Sequence, residues 1–238
     1  NPDQSDYKII AFPFTGYNFN DFTNGMLSYQ YEIKTWIGNS YSKPSLGTER
    51  GKGYMFLSTV TPKSIEAKYD ECVMKNLDFD ISLNDFPNGK WIMVGNPYLE
   101  SIRWDQLEGI NENQGGGFLV YNKGWILKSS LDPLRGSFID KGFVISNTIT
   151  IKKPGGSTQK EKEFSNNLFE NEWLLDLDLI GGKVHHKINQ IGQRNNALNE
   201  KDVYDMNVPP TLEKPFDIIF SQNTSRDIRN IKNNEEWS

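Results

Sequence analysis

The stretch from Lys90 to Asp105 constrains the fold more than any other: Trp91-Ile92-Met93-Val94-Gly95-Asn96-Pro97-Tyr98, followed by Ile102-Arg103-Trp104-Asp105. An unbroken run of aromatic and aliphatic residues predicts a strand. Pro97 cannot donate to a ladder and holds Asn96 extended, so Gly95-Asn96-Pro97 predicts a fixed corner at its end. The same arrangement stands near the N-terminus as Tyr7-Lys8-Ile9-Ile10-Ala11-Phe12-Pro13-Phe14. An offset of 84 residues (13 to 97) lays Pro13 on Pro97, Phe14 on Tyr98 and Asp21 on Asp105. Further on, Lys52-Gly53-Tyr54-Met55-Phe56 matches Lys141-Gly142-Phe143-Val144-Ile145 at an offset of 89 (52 to 141), which also lays Thr59-Val60-Thr61 on Thr148-Ile149-Thr150. A loop insertion in the second copy accounts for the difference. The expectation is two internally related β-units, about 7–62 and 91–151, with Pro13 over Pro97 and Tyr54 over Phe143.

The rest of the chain reads as further strands. Tyr31–Ile37 precedes a turn at Gly38-Asn39-Ser40, and Gly53–Val60 follows a polar loop. Phe79-Asp80-Ile81-Ser82-Leu83 alternates strictly, which predicts a half-buried strand, and Asn88-Gly89 predicts a hairpin turn into Trp91. Phe118–Tyr121 and Trp125–Leu127 flank a turn at Asn122-Lys123-Gly124, and Lys141–Ile151 closes the second unit as one strand. Lys153-Pro154-Gly155-Gly156-Ser157-Thr158 is the clearest linker, so the expected division is 1–152, a linker over 153–163, and a C-terminal part over 164–238. That part opens with Trp173-Leu174-Leu175-Asp176-Leu177-Asp178-Leu179, alternating leucines with acids, and ends in strands at Phe216–Phe220 and Arg226–Arg229. The fold class this predicts is all-β: a sandwich-like domain of two related units plus a smaller sandwich or jelly-roll-like part.

Composition excludes several functions. With 26 basic and 31 acidic residues the formal net charge is −5, and no basic run is present, so the electrostatic footprint of a nucleic-acid binder is missing. Cys72 is the single cysteine, which rules out an intrachain disulfide or a thiolate metal cluster. No apolar run is long enough to cross a bilayer, and Asn1–Asp6 lacks the order of a signal peptide, which leaves a cytoplasmic chain or one whose signal has been removed.

These motifs resemble a module of large secreted surface proteins from bacteria that use the type IX secretion pathway. In that family a tryptophan, an apolar pair, Gly-Asn-Pro-aromatic and Ile-x-Trp precede a Gly-aromatic strand, matched here by Trp91–Tyr98, Ile102, Trp104 and Gly142-Phe143. A second part follows, matched by Trp173–Leu177, Asn189, Gly192, Ala197, Asp202, Asp205, Pro209-Pro210, Asp227, Arg229 and Trp237. Tyr7–Phe14 fits the family's entry strand. Two departures stand out. His185-His186 occupies the region where the family often carries an acidic residue, and the family's last strand continues past its tryptophan whereas this sequence stops at Ser238, so a module ending there would lack that strand. The resemblance implies an extracellular or cell-surface location with the signal peptide removed. It also implies a noncatalytic β-module that is structural, adhesive or engaged in filament or surface assembly, with other surface-protein domains or subunits as partners. Pro13, Trp91, Gly95, Asn96, Pro97, Trp104 and Trp173 would be its structural motif.

Candidate chemistry is sparse. Adjacent strand residues face opposite ways, so His185 and His186 do not readily share an ion. No serine stands in a nucleophile-elbow context, and no hydrolase triad is assigned. Asp176 and Asp178 read as the solvent face of a one-sided sheet. Asp202 and Asp205, in an Asn-rich loop, are candidate calcium ligands, with loop capping by Asx side chains as the alternative; otherwise no cofactor is expected. Trp36, Tyr41 and Trp125 lie beside turns and form the candidate ligand-binding set. As a planar strip they would suit a glycan, making the chain a carbohydrate-binding module; packed inward they would serve the structural role.

Overall fold

The computed structural model describes residues 7–23, 26–45, 47–60, 77–86, 90–110, 118–122, 124–127, 133–134 and 136–154, and the strand backbones of 173–181, 184–193, 206–207, 220–222 and 225–232. The fold is all-β and sandwich-like. In chain order the strands are β1 (Lys8–Ala11), β2 (Tyr31–Ile37), β3 (Ser40–Ser42), β4 (Gly53–Ser58), β5 (Phe79–Ser82), β6 (Trp91–Gly95), β7 (Ile102–Arg103), β8 (Leu107–Glu108) and β9 (Phe118–Tyr121). They continue as β10 (Trp125–Leu127), β11 (Pro133–Leu134), β12 (Gly136–Asp140), β13 (Thr148–Ile151), β14 (Trp173–Gly181), β15 (Val184–Gln193), β16 (Met206–Asn207), β17 (Phe220–Gln222) and β18 (Ser225–Lys232). One α-helical turn, α1 (Phe19–Phe22), is capped by the Asn18 side chain, which accepts from the Asn20 N–H.

The first sheet runs β1-β4-β2-β3 and is antiparallel throughout. Its β4 is buried on both faces. Met55 and Leu57 enter the main core with Ile9, whereas Tyr54 and Phe56 face a second cluster built from Phe12, Phe14, Phe19 and Ile33. Each such fully buried side chain contributes about 1.5–3 kcal/mol of apolar transfer, which is why β4 is apolar at every position from Tyr54 to Leu57 rather than alternating. The second sheet runs β16-β18-β15-β10-β9-β12-β6, with β14 on β15 and β17 on β18. It is mixed: β10 with β15 and β15 with β18 are parallel pairs. The strands from β14 onward thus continue the sheet of β6, β12 and β9 through Ile126 opposite Lys187. Residues 155–163 of the expected linker lie outside the described residues. Among the described residues there are also two smaller antiparallel sheets, β11-β7 and β5-β13-β8.

Two sequence expectations need correction. Lys141–Ile151 is not one strand, because Asp140 ends β12 and its carboxylate accepts from Gly142 N at 2.9 Å, while Val144 N donates to Lys141 O at 3.1 Å and closes a 3₁₀ turn over Lys141–Phe143. Tyr54 in β4 and Phe143 in that turn therefore occupy different secondary structure. The strand that pairs with β6 is β12, which the sequence reading did not identify. Gly95 stands opposite Gly136 there, as Ala11 stands opposite Gly53 in the β1·β4 pair, and both pairs are antiparallel.

The two sheets approach closely at Gly95. A Cβ on Gly95 would lie 2.4 Å from Ala11 Cβ and 2.6 Å from Lys52 O, and neither neighbour is the end of a flexible side chain. Gly95→Ala is expected to destabilise the fold by about 1–3 kcal/mol through overpacking, read as a lower denaturant midpoint. An unchanged midpoint would show that the strands can separate there at no cost.

Candidate functional site

Several polar groups of the Gly95-Asn96-Pro97-Tyr98 corner have identifiable destinations. Asn96 Oδ1 accepts from Tyr98 N at 2.9 Å and Asn96 Nδ2 donates to Glu100 O at 2.8 Å, an Asx turn that fixes the chain reversal. The Tyr98 hydroxyl lies 2.9 Å from the Ile151 carbonyl and 3.0 Å from the Leu77 carbonyl and shares its one proton between them. Gly95 N donates to Gly51 O at 2.9 Å, and Lys52 bridges Val94. The corner is thereby tied to the segment 47–53.

Arg50 is the centre of that tie. Its Nε donates to Pro97 O at 2.8 Å, and its guanidinium carbon sits 5.1 Å from the Phe79 ring centroid and 5.4 Å from that of Tyr98. Cation–π contacts of this kind are worth about 0.5–2 kcal/mol each. Arg50 Nη2 is buried without a hydrogen-bond partner. The next residue, Gly51, has φ +77°, and a Cβ there would meet Phe79 Cε1 at 2.2 Å, so glycine is required both by conformation and by space. The other Pro corner reaches the same segment: Thr48 Oγ1 donates to Phe14 O at 3.0 Å, and Arg50 N donates to Thr15 Oγ1 at 3.0 Å.

Beside Arg50 a cavity of about 310 Å³ lies between the end of β2, the loop before β4, and β5 with the turn that follows it. Trp36, Phe79 and Phe86 line it with Glu49, Asp80 and Asp85. The sequence reading missed this cavity and the role of Arg50. A charged residue in a polar loop reads as solvated, and nothing local places it between rings from two distant segments.

The candidate ring set is brought together, but inward. Trp36, Tyr41 and Trp125 surround Phe138 of β12 with centroid separations of 5.6, 6.3 and 5.4 Å, all nearly perpendicular. Trp36 is 5% exposed and Trp125 3%. The Trp36 indole N–H donates to Trp91 O at 3.0 Å. A planar strip open to a glycan is therefore not what these three rings form; edge-to-face packing around one phenyl favours an interior position. Trp91, Trp104 and Phe143 are also buried, Trp104 stacking on Phe118 at 4.1 Å.

Other candidates are placed by backbone alone or not at all. Asp176 and Asp178 lie on β14, opposite Gln190 and Lys187, with a register shift beyond Leu177 that passes over Ile188. His185 and His186 lie on β15 opposite Ile180 and Leu179. Asp202, Asp205, Asn88-Gly89 and Trp237 lie outside the described residues. Among the described residues no three His, Cys, Asp or Glu side chains group closely enough to hold a metal ion.

Burial perturbs three tyrosines. Tyr41 is pushed well above its ordinary range by burial, with Tyr121 and Tyr7 adding to the effect. Tyr54 is pushed up to about 12 by burial, against the hydrogen bond from Glu49 N, which lowers it. Tyr98 is raised by burial, against the Arg50 charge, which lowers it. Compared with models of protein families, with curated proteins and with solved structures, the chain matches none of them.

A phenol whose folded pKa lies above the unfolded value of about 10 keeps its full contribution to stability below that pH and loses it as the pH rises through the folded value. Stability is therefore expected to fall from about pH 10 toward the value of about 12 for Tyr54. In an alkaline titration read by tyrosinate absorbance and circular dichroism, Tyr41, Tyr54 and Tyr98 of the ten tyrosines should ionise late, together with unfolding. A single titration of all ten with the fold intact would contradict their burial.

Proposed function

We propose that this chain is a noncatalytic extracellular module of a secreted or cell-surface bacterial protein, with a structural, adhesive or assembly role. The observation that carries the reading is the inward commitment of its aromatic residues. Trp36, Tyr41 and Trp125 close on Phe138, and Trp36 Nε1 is bonded to the Trp91 carbonyl. Rings used in this way rigidify a sandwich and are withdrawn from stacking on a ligand. The corner contributes in the same sense, since the side chains of Asn96 and Tyr98 are bonded to backbone carbonyls and amides of the chain itself. The extracellular location rests on the resemblance of the Trp91–Tyr98 and Trp173–Asp205 motifs to modules of type IX secretion proteins.

The two β-units belong to the same proposal in corrected form. The relation that fits the pairing is β1 with β4 and β6 with β12, an offset of 84 residues for the first strands (11 to 95) and 83 for the second (53 to 136). Each unit then has a strand, a Pro corner two residues past its end, a variable middle, and a returning strand that begins with glycine opposite the corner.

Location is tested by protease treatment of intact cells of the source bacterium, followed by immunoblotting for this chain. Loss of the epitope from intact cells is the expected result. An epitope protected until the cells are lysed would refute the extracellular assignment.

A further inference from the structure

The cavity beside Arg50 has a composition that the structural role does not use. At about 310 Å³ it reaches the lower end of the range of about 300–1,000 Å³ over which small-molecule sites occur. The half-buried Phe79 and Phe86 line it together with Trp36, and the lining residues Glu49, Asp80 and Asp85 are exposed. Its two cations are already engaged. Lys52 Nζ pairs with Glu49 Oε1 at 2.8 Å, and Arg50 is held by Pro97 O and two rings with its Nη2 buried from solvent. Asp80 Oδ1 accepts from Thr150 Oγ1 at 2.6 Å, which engages that carboxylate across the β5·β13 pair.

These commitments decide the ligand class. An anionic ligand would meet the exposed carboxylates of Glu49, Asp80 and Asp85, while the two lining cations are already engaged by Glu49 and by the Pro97 carbonyl. A wholly apolar ligand would desolvate these acids without replacing their hydrogen bonds. A ring that carries C–H groups on one face and hydroxyl donors at its edge satisfies both halves of the lining, the C–H face on phenyl and the hydroxyls on carboxylate oxygens. We propose that this cavity binds a neutral saccharide, one or two sugar units in size, with Phe79 and Phe86 carrying the C–H face and the exposed Asp85 accepting from its hydroxyl groups. The site shares Trp36 with the set packed around Phe138 but rests on Phe79, Phe86 and Asp85, and it does not depend on where the chain resides.

The test is a nitrogen–proton NMR titration of the whole chain with four neutral disaccharides: cellobiose, maltose, lactose and mannobiose. At least one is expected to give saturable shifts at the backbone amides of residues 36–37, 49–52, 79–81 and 85–86. Asp85→Ala, at an exposed position, should weaken that binding by about tenfold, equivalent to about 1.4 kcal/mol, with an unchanged melting temperature, and Phe86→Leu should weaken it as well. Absence of saturable shifts with all four sugars, shifts confined to other residues, or undiminished affinity in both variants would overturn the proposal.

Discussion

The contact on which the rest of this structure depends is the seat of Arg50. Its backbone N–H is bonded to Thr15 beyond one Pro corner, its Nε to the carbonyl of Pro97 at the other, and its guanidinium lies against Phe79 from a third segment and Tyr98 from the second corner. A half-buried guanidinium is costly unless its donors and faces are met. Here the two rings cover its faces and the Pro97 carbonyl takes its Nε–H, with Nη2 left buried without a partner, so the side chain is tolerated only while the Pro97 corner is in place. The dependence runs both ways, since the loop 47–53 has little apolar burial of its own and is held by Arg50, by Thr48 and by the Gly51 carbonyl.

From that seat the packing follows. Holding Gly53 against Val94 sets β4 in place, so that Met55 and Leu57 reach the main core while Tyr54 and Phe56 close the smaller aromatic cluster. The Tyr54 hydroxyl then accepts from Glu49 N at 2.9 Å, tying the second cluster back to the same loop. Phe138 on β12 becomes the post around which Trp36, Tyr41 and Trp125 assemble. The cavity proposed to take a saccharide arises because Arg50 and Gly51 draw Phe79 toward the loop and leave Phe86 and Asp85 along its open side.

Much of the strand content was legible in the sequence for local reasons. Tyr31–Ile37, Phe118–Tyr121 and Trp91–Gly95 are dense in β-formers, and Phe79–Ser82 alternates, so each is specified by residues within it. Gly136–Asp140 was not legible, because Gly-Ser-Phe-Ile-Asp carries only two strong β-formers; its five buried positions come from lying between β6 and β9. That omission had two consequences. It left Lys141–Ile145 as the apparent counterpart of Lys52–Phe56, although Asp140 caps a 3₁₀ turn there, and it hid Phe138, without which the direction of Trp36, Tyr41 and Trp125 could not be known. The candidate site was less legible still, since Arg50 is joined to Pro97 across 47 residues and no local pattern reports so distant a partner.

A double-mutant cycle between Arg50→Met, which keeps the apolar stem and removes the guanidinium, and Tyr98→Leu, which removes the ring and its hydroxyl, tests this account most directly. If Arg50 joins the corner to the loop as described, the two substitutions are coupled by about 0.5–3 kcal/mol in denaturant unfolding, with the double variant less destabilised than the sum of the singles. Additivity to within about 0.3–0.5 kcal/mol would contradict it, because it would mean that the guanidinium and the corner tyrosine stabilise the fold independently.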